Sequence, residues 1–133
     1  MNRRIAVASL AVALVALTGC SSADTDSQEA SVEACADFRS AVDPVLVSVD
    51  EIVPADSPEA MSEHLSSVEA GLAAAAEVEG PGAFAALRDE VVVEIETFAI
   101  LAQDSIDGKD ADLEAAQGDV QLSYAEFERY CGS

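Results

Sequence analysis

Five carboxylates and a glycine crowd one short stretch of this chain. Residues 104–114 read DSIDGKDADLE and contain Asp104, Asp107, Asp110, Asp112 and Glu114. Oxygen donors at this density suit Ca²⁺, and an EF-hand loop places a glycine at its sixth position and a bidentate glutamate at its twelfth. Gly108 and Glu114 have that separation, and Asp107 would fill position five. Gln103 then falls at position one, where aspartate is expected. Asp110 falls at position eight, where an apolar residue belongs. The register fails at two informative places. The competing reading is a turn between helices, with Gly108 ending one and Asp110 capping the next. We take the turn as the expectation and assign no metal ligand.

The remaining chemistry-bearing residues are few. His64 is the single histidine. A Ser-His-Asp triad would have to be built on it, and no Gly-x-Ser-x-Gly elbow accompanies it. A bundle di-iron centre needs two Glu-x-x-His motifs, and none occurs. Met61 and His64 share one predicted helix, so they do not face each other as haem ligands. No glycine-rich phosphate loop is present. Paired carboxylates can act as acid and base, but 26 acidic residues make any particular pair uninformative. No catalytic residue or cofactor is therefore assigned, and the expectation is that the chain is not an enzyme. His64 is expected at the surface or its boundary.

The N-terminus carries a different kind of information. Residues 1–4 are basic through Arg3 and Arg4, and residues 5–17 form a continuous run of apolar and small residues. That is the order of a secretory signal, and 13 residues are too few to span a hydrocarbon core, which needs about 20. The run ends in Leu17-Thr18-Gly19-Cys20. This resembles the lipobox of bacterial lipoproteins. The resemblance covers about the first 20 residues. It implies cleavage before Cys20, diacylglycerol on the Cys20 sulfur, often a third acyl chain on its amino group, and a location on the extracytoplasmic face of the cell membrane. Two or three chains, at roughly 0.8 kcal/mol per buried methylene, anchor stably where one does not. Poverty in Lys and Asn, with abundant Ala, Val, Asp and Glu, resembles small lipoproteins of high-GC Gram-positive bacteria.

With Cys20 assigned to lipid, Cys35 and Cys131 remain. Two cysteines in an exported chain read as a disulfide. A reactive thiol or a metal site is the alternative, without a Cys-x-x-Cys or a second histidine to support it.

The part beginning at Cys20 has 114 residues, enough for one domain, with all 26 acidic residues and only Arg39, Arg88, Lys109 and Arg129 as bases. Its net charge of −22 repels nucleic acid and anionic headgroups. No nucleic-acid partner is expected, and the membrane is expected to be met through the lipid alone.

The elements that position these residues follow from periodicity. Residues 20–30 lack large apolar side chains and are expected to form a lipidated, disordered tether. Residues 31–133 then hold four helical patterns. The first carries Val32, Cys35, Phe38, Val42, Leu46, Val49 and Ile52, with a kink or break expected at Pro44. Ser57 should cap the second, with Pro58 at its first position. That helix places Met61, Leu65, Val68, Leu72 and Ala75 on a heptad seam, and residues 73–76 should admit a close neighbour. Gly80-Pro81-Gly82 is the clearest break. The third pattern carries Phe84, Leu87, Val91, Ile95, Phe98 and Ala102, with Ile100 adding to its burial. The fourth begins near Asp110 and carries Leu113, Ala116, Val120, Tyr124, Phe127 and Cys131. Phe38, Phe84, Phe98, Tyr124, Phe127 and Tyr130 lie largely on these seams, and the tyrosine hydroxyls need partners if buried.

Four helices with short connections predict an all-α, antiparallel up-down four-helix bundle. A Cys35–Cys131 bond fits this, because an even helix count brings the first and last turns to one end. The expected function is a lipid-anchored binding or scaffolding module with a protein partner at the distal loops. A small-ligand or cation-binding module is the alternative.

Overall fold

The computed structural model describes residues 22–132. The signal segment and Cys20 lie outside these residues. Four helices follow one another: α1 Ser22–Glu51, α2 Pro58–Ala76, α3 Phe84–Ile106 and α4 Leu113–Cys131. Consecutive helices pack antiparallel, and α4 returns against α1. The architecture is the predicted all-α four-helix bundle. Among the described residues no helix is long and apolar enough to cross a membrane.

Helix α1 departs from expectation at its start, and at Pro44 it shows no break. It begins at Ser22, so residues 22–30, expected as disordered tether, are helical. The segment contains no Gly or Pro, and extending a formed helix avoids the cost of nucleation. The helix also runs unbroken through Pro44. Proline removes the hydrogen bond to the carbonyl of Ser40. Pro44 and Ser40 are both exposed, so the loss falls on the solvent side, while Val42, Val45 and Val49 hold the inner face in the core. The buried stripe uses Val45 where Leu46 was expected. Leu46 is half-buried and Val32 is exposed.

Helix α2 starts as predicted. The Ser57 hydroxyl accepts the backbone N–H of Ala60 at 3.2 Å, and Pro58 opens the helix. Its seam residues Met61, Leu65, Val68 and Ala75 are buried. A close approach lies at Gly71, where a Cβ would come 2.5 Å from Val45 Cγ2, and of residues 73–76 Ala75 faces the core, fully buried. Ala73, Ala74 and Ala76 are exposed. Helix α3 buries Phe84, Val91, Val92, Ile95, Phe98 and Ala102. The β-branched run Val91-Val92-Val93 is helical within it. Ile100 corrects the expectation: it is 65 % exposed and lies opposite the core stripe.

The turn at residues 106–109 is a Schellman motif. Gly108 takes φ 78°, its N–H reaches the Ser105 carbonyl at 3.0 Å, and the Lys109 N–H reaches the Asp104 carbonyl at 2.9 Å. Gly108 thus ends α3 as expected, since a left-handed residue after the helix satisfies its last carbonyls. The cap of α4 is Asp112 and not Asp110: Asp112 Oδ1 accepts the Ala115 N–H at 3.0 Å. Leu113 is buried in the core, and the cap must immediately precede the first helical residue.

One end of the bundle is dense with aromatic rings. Phe38, Phe84 and Phe127 meet pairwise, with centroids 4.6 to 6.1 Å apart. Edge-on and tilted arrangements of this kind add about 0.5–1.5 kcal/mol beyond area burial. Gly80 seals this end, since a Cβ there would lie 2.6 Å from the Phe84 ring and 2.7 Å from Ala34 Cβ.

Candidate functional site

The cysteines come together as the topology requires. Cys35 and Cys131 form a disulfide with Cα atoms 5.9 Å apart. Tyr130, one residue earlier, donates its hydroxyl to the Pro81 carbonyl at 3.3 Å. The bond and the Gly80-Pro81-Gly82 turn therefore share one end of the bundle, and the other two loops occupy the opposite end.

Three of the five carboxylates of residues 104–114, those of Asp104, Asp107 and Asp112, make local contacts. Asp104 Oδ1 takes the Lys109 ammonium at 2.6 Å, and this hydrogen bond holds the Lys109 pKa above its ordinary value. Asp107 Oδ1 accepts the Gln103 amide at 3.0 Å. Gln103, the residue at the first position of an EF-hand register, thus spends its amide inside the turn. Asp112 caps α4. Among the described residues no three His, Cys, Asp or Glu side chains are placed to hold a metal ion. His64 lies at the boundary, with its side chain one-third exposed and Nδ1 3.1 Å from Glu51 Oε2. It ties α2 to the end of α1.

The feature that sequence reasoning missed is a polar seam between α1 and α4. Arg39 makes a bidentate pair with Glu128, at 2.6 and 3.1 Å. One turn on, Tyr124 donates its hydroxyl to Asp43 at 2.9 Å. Burial first, and then this bond, pushes the Tyr124 pKa well above its ordinary range. Nearer the distal end the Gln117 amide donates to the Val49 carbonyl at 3.3 Å and to Asp50 at 3.1 Å. These partners are 67 to 89 residues apart in sequence, so no local pattern announces them. No buried side-chain nitrogen or oxygen among the described residues lacks a partner.

Two open grooves mark the surface. One, of about 400 Å³, lies at the disulfide end between Glu33, Ala34 and Asp37 on α1 and residues 79–81. The other, of about 270 Å³, lies between α2 and α3. Leu72, Ala73 and Ala76 form its apolar part, and Glu69 and Glu96 its charged part. Comparison of the chain with protein-family models finds no match, and neither do comparisons with curated proteins or with solved structures.

Proposed function

We propose that this chain is a lipid-anchored, disulfide-closed helical module that binds or scaffolds a protein at the extracytoplasmic face of the cell membrane. The anchor rests on Leu17-Thr18-Gly19-Cys20. The binding role rests on one observation: the two described cysteines, the histidine and both tyrosines are each tied into the fold. Cys35 holds Cys131, His64 meets Glu51, Tyr124 donates to Asp43, and Asp112 caps α4. What is left to act is surface shape and charge. The geometry also suits the anchor, because Ser22, the first helical residue, lies two positions after Cys20. The disulfide end then faces the membrane, and the Ser57 and Gly108 loops face away.

The test is replacement of Cys20 by Ala in the native host. Wild-type chain should incorporate labelled palmitate, be cut before Cys20 and fractionate with membranes. The variant should do none of these. A variant that is still processed and retained in membranes like wild type overturns the anchor. Cross-linking in intact cells, with and without Cys20, then tests the binding role: wild-type chain should give discrete protein adducts that the unanchored variant loses.

A further inference from the structure

The groove between α2 and α3 combines an apolar floor with two acidic residues, and exposed aliphatic residues lie near it on α3. Glu69, Leu72, Ala73 and Ala76 occupy about two turns of α2, and Glu96 faces them from α3. Val93 and Ile100, 53 % and 65 % exposed, lie about one turn before and one turn after Glu96 on α3. Together with the groove floor they make this stretch of the α2–α3 surface partly aliphatic.

Charge indicates what the surface takes. Among the described residues Glu69 and Glu96 have no ion-pair partner, while the four cations beyond Cys20 are engaged elsewhere. Arg39 pairs with Glu128, Arg88 with Asp89, Lys109 with Asp104 and Arg129 with Glu126. No positive residue lines the groove. A partner bringing an anionic surface would place like charges together at a cost of several kcal/mol, whereas a cationic one is steered in.

We propose that this groove docks a basic amphipathic helix of a partner protein. Its small apolar side chains lie on Leu72, Ala73 and Ala76, and Lys or Arg residues flanking them meet Glu69 and Glu96. A helix laid in an apolar groove anchors through residues three and four apart, and two turns of α2 match that spacing. The proposal names the kind of partner and rests on the binding role above. It does not depend on the lipid.

The test is site-specific photo-cross-linking on the full chain. A photoreactive benzoylphenylalanine is placed at Ala73, or at Asp119 on α4 as a control. The probe is a synthetic 14-residue helical peptide with Leu on one face and Lys on the other, in 0.15 M salt. Three comparison arms are the same peptide with Glu for Lys, the Lys peptide with its residues scrambled, and the chain carrying Glu69→Gln with Glu96→Gln. We expect at least fivefold more adduct at Ala73 than at Asp119. The double substitution should reduce the Ala73 adduct at least fivefold, and Asp119→Asn with Glu126→Gln should change it less than twofold. Circular dichroism verifies the fold of each variant. Equal labelling of both positions, or equal labelling by the scrambled peptide, would show general attraction to a −22 surface and overturn the proposal. Equal labelling by the Glu peptide would overturn its charge argument. Any of these outcomes leaves the Cys20 fractionation result unaffected, so the two readings fail separately.

Discussion

Replacing Cys131 with Ser cuts the only covalent tie between the first and last helices, and the size of the effect can be worked out. The bond joins positions 96 residues apart. On the chain-entropy relation, closing a loop of that length removes denatured-state freedom worth about 4.7 kcal/mol at 25 °C. Little in the native state should offset or add to this. Cys131 is half-buried, and Cys35, 2 % exposed, stays in the core as a thiol that behaves as a small apolar group. With an unfolding entropy of about 2.1 cal/mol/K per residue over the described chain, the loss corresponds to a Tm lower by about 20 °C.

The assay is thermal unfolding followed by far-ultraviolet circular dichroism on the chain beginning at residue 20. Mass spectrometry verifies that wild type gains 2 Da on reduction. Cys35→Ser should behave alike to within about 1 kcal/mol, because a hydroxyl at a helical position can donate to the carbonyl four residues back, here that of Ser31. A Tm fall under about 5 °C, with the bond verified in wild type, would refute the reasoning. It would show that the α1–α4 seam is held in the unfolded ensemble, or that the bond strains the native one.

Three further outcomes follow from named contacts. Gly80→Ala should destabilise by about 1–3 kcal/mol through overpacking against Phe84 and Ala34, while Gly118→Ala, with nothing within 4 Å of the added Cβ, should stabilise by roughly 0.5–1 kcal/mol; urea titrations decide both, and matching signs would contradict the packing described. Tyr124, raised above its ordinary 10.0 by burial and by Asp43, should ionise late in an absorbance titration at 295 nm, and Tyr124→Phe should remove the late step. Because its folded value exceeds the unfolded one, its contribution is fully present below pH 10 and is lost as pH rises through the folded value. Sodium chloride should raise Tm by screening the −22 charge, and Ca²⁺ should add little beyond its ionic strength; a saturable Ca²⁺ effect, absent with Mg²⁺ and lost in Asp107→Asn with Glu114→Gln, would make residues 104–114 a calcium site.

The parts of this fold legible in the sequence are those governed by local rules. Ser57-Pro58 starts a helix because a hydroxyl and a missing N–H suit its first turn. Gly108 ends one because the left-handed conformation needs no Cβ. Phe38, Phe84 and Phe127 each lie on the apolar seam of their own helix, and the fold brings them into one cluster. The misjudged positions required knowledge of facing elements or of solvent. Asp110 and Asp112 are equally good caps until burial of Leu113 selects between them. Pro44 breaks a helix in general, but here its lost hydrogen bond falls on the wet face. Ile100 has the composition of a core residue and the phase of a surface one.

The same distinction explains why the candidate site was less legible than the fold. A catalytic or metal site advertises itself through uncommon residues, and this chain has one histidine and no unpaired cysteine among its described residues. A docking face is made of common residues, and only their juxtaposition is informative. Glu69 and Glu96 are two acids among 26 until the bundle sets them on either side of Leu72, Ala73 and Ala76. Sequence reading took residues 73–76 as a place for a neighbouring helix, and within the chain Gly71 and the buried Ala75 lie on the packed side. Ala73, Ala74 and Ala76 stay exposed. The proposed docking groove draws on Ala73 and Ala76, which the core of the bundle leaves at the surface.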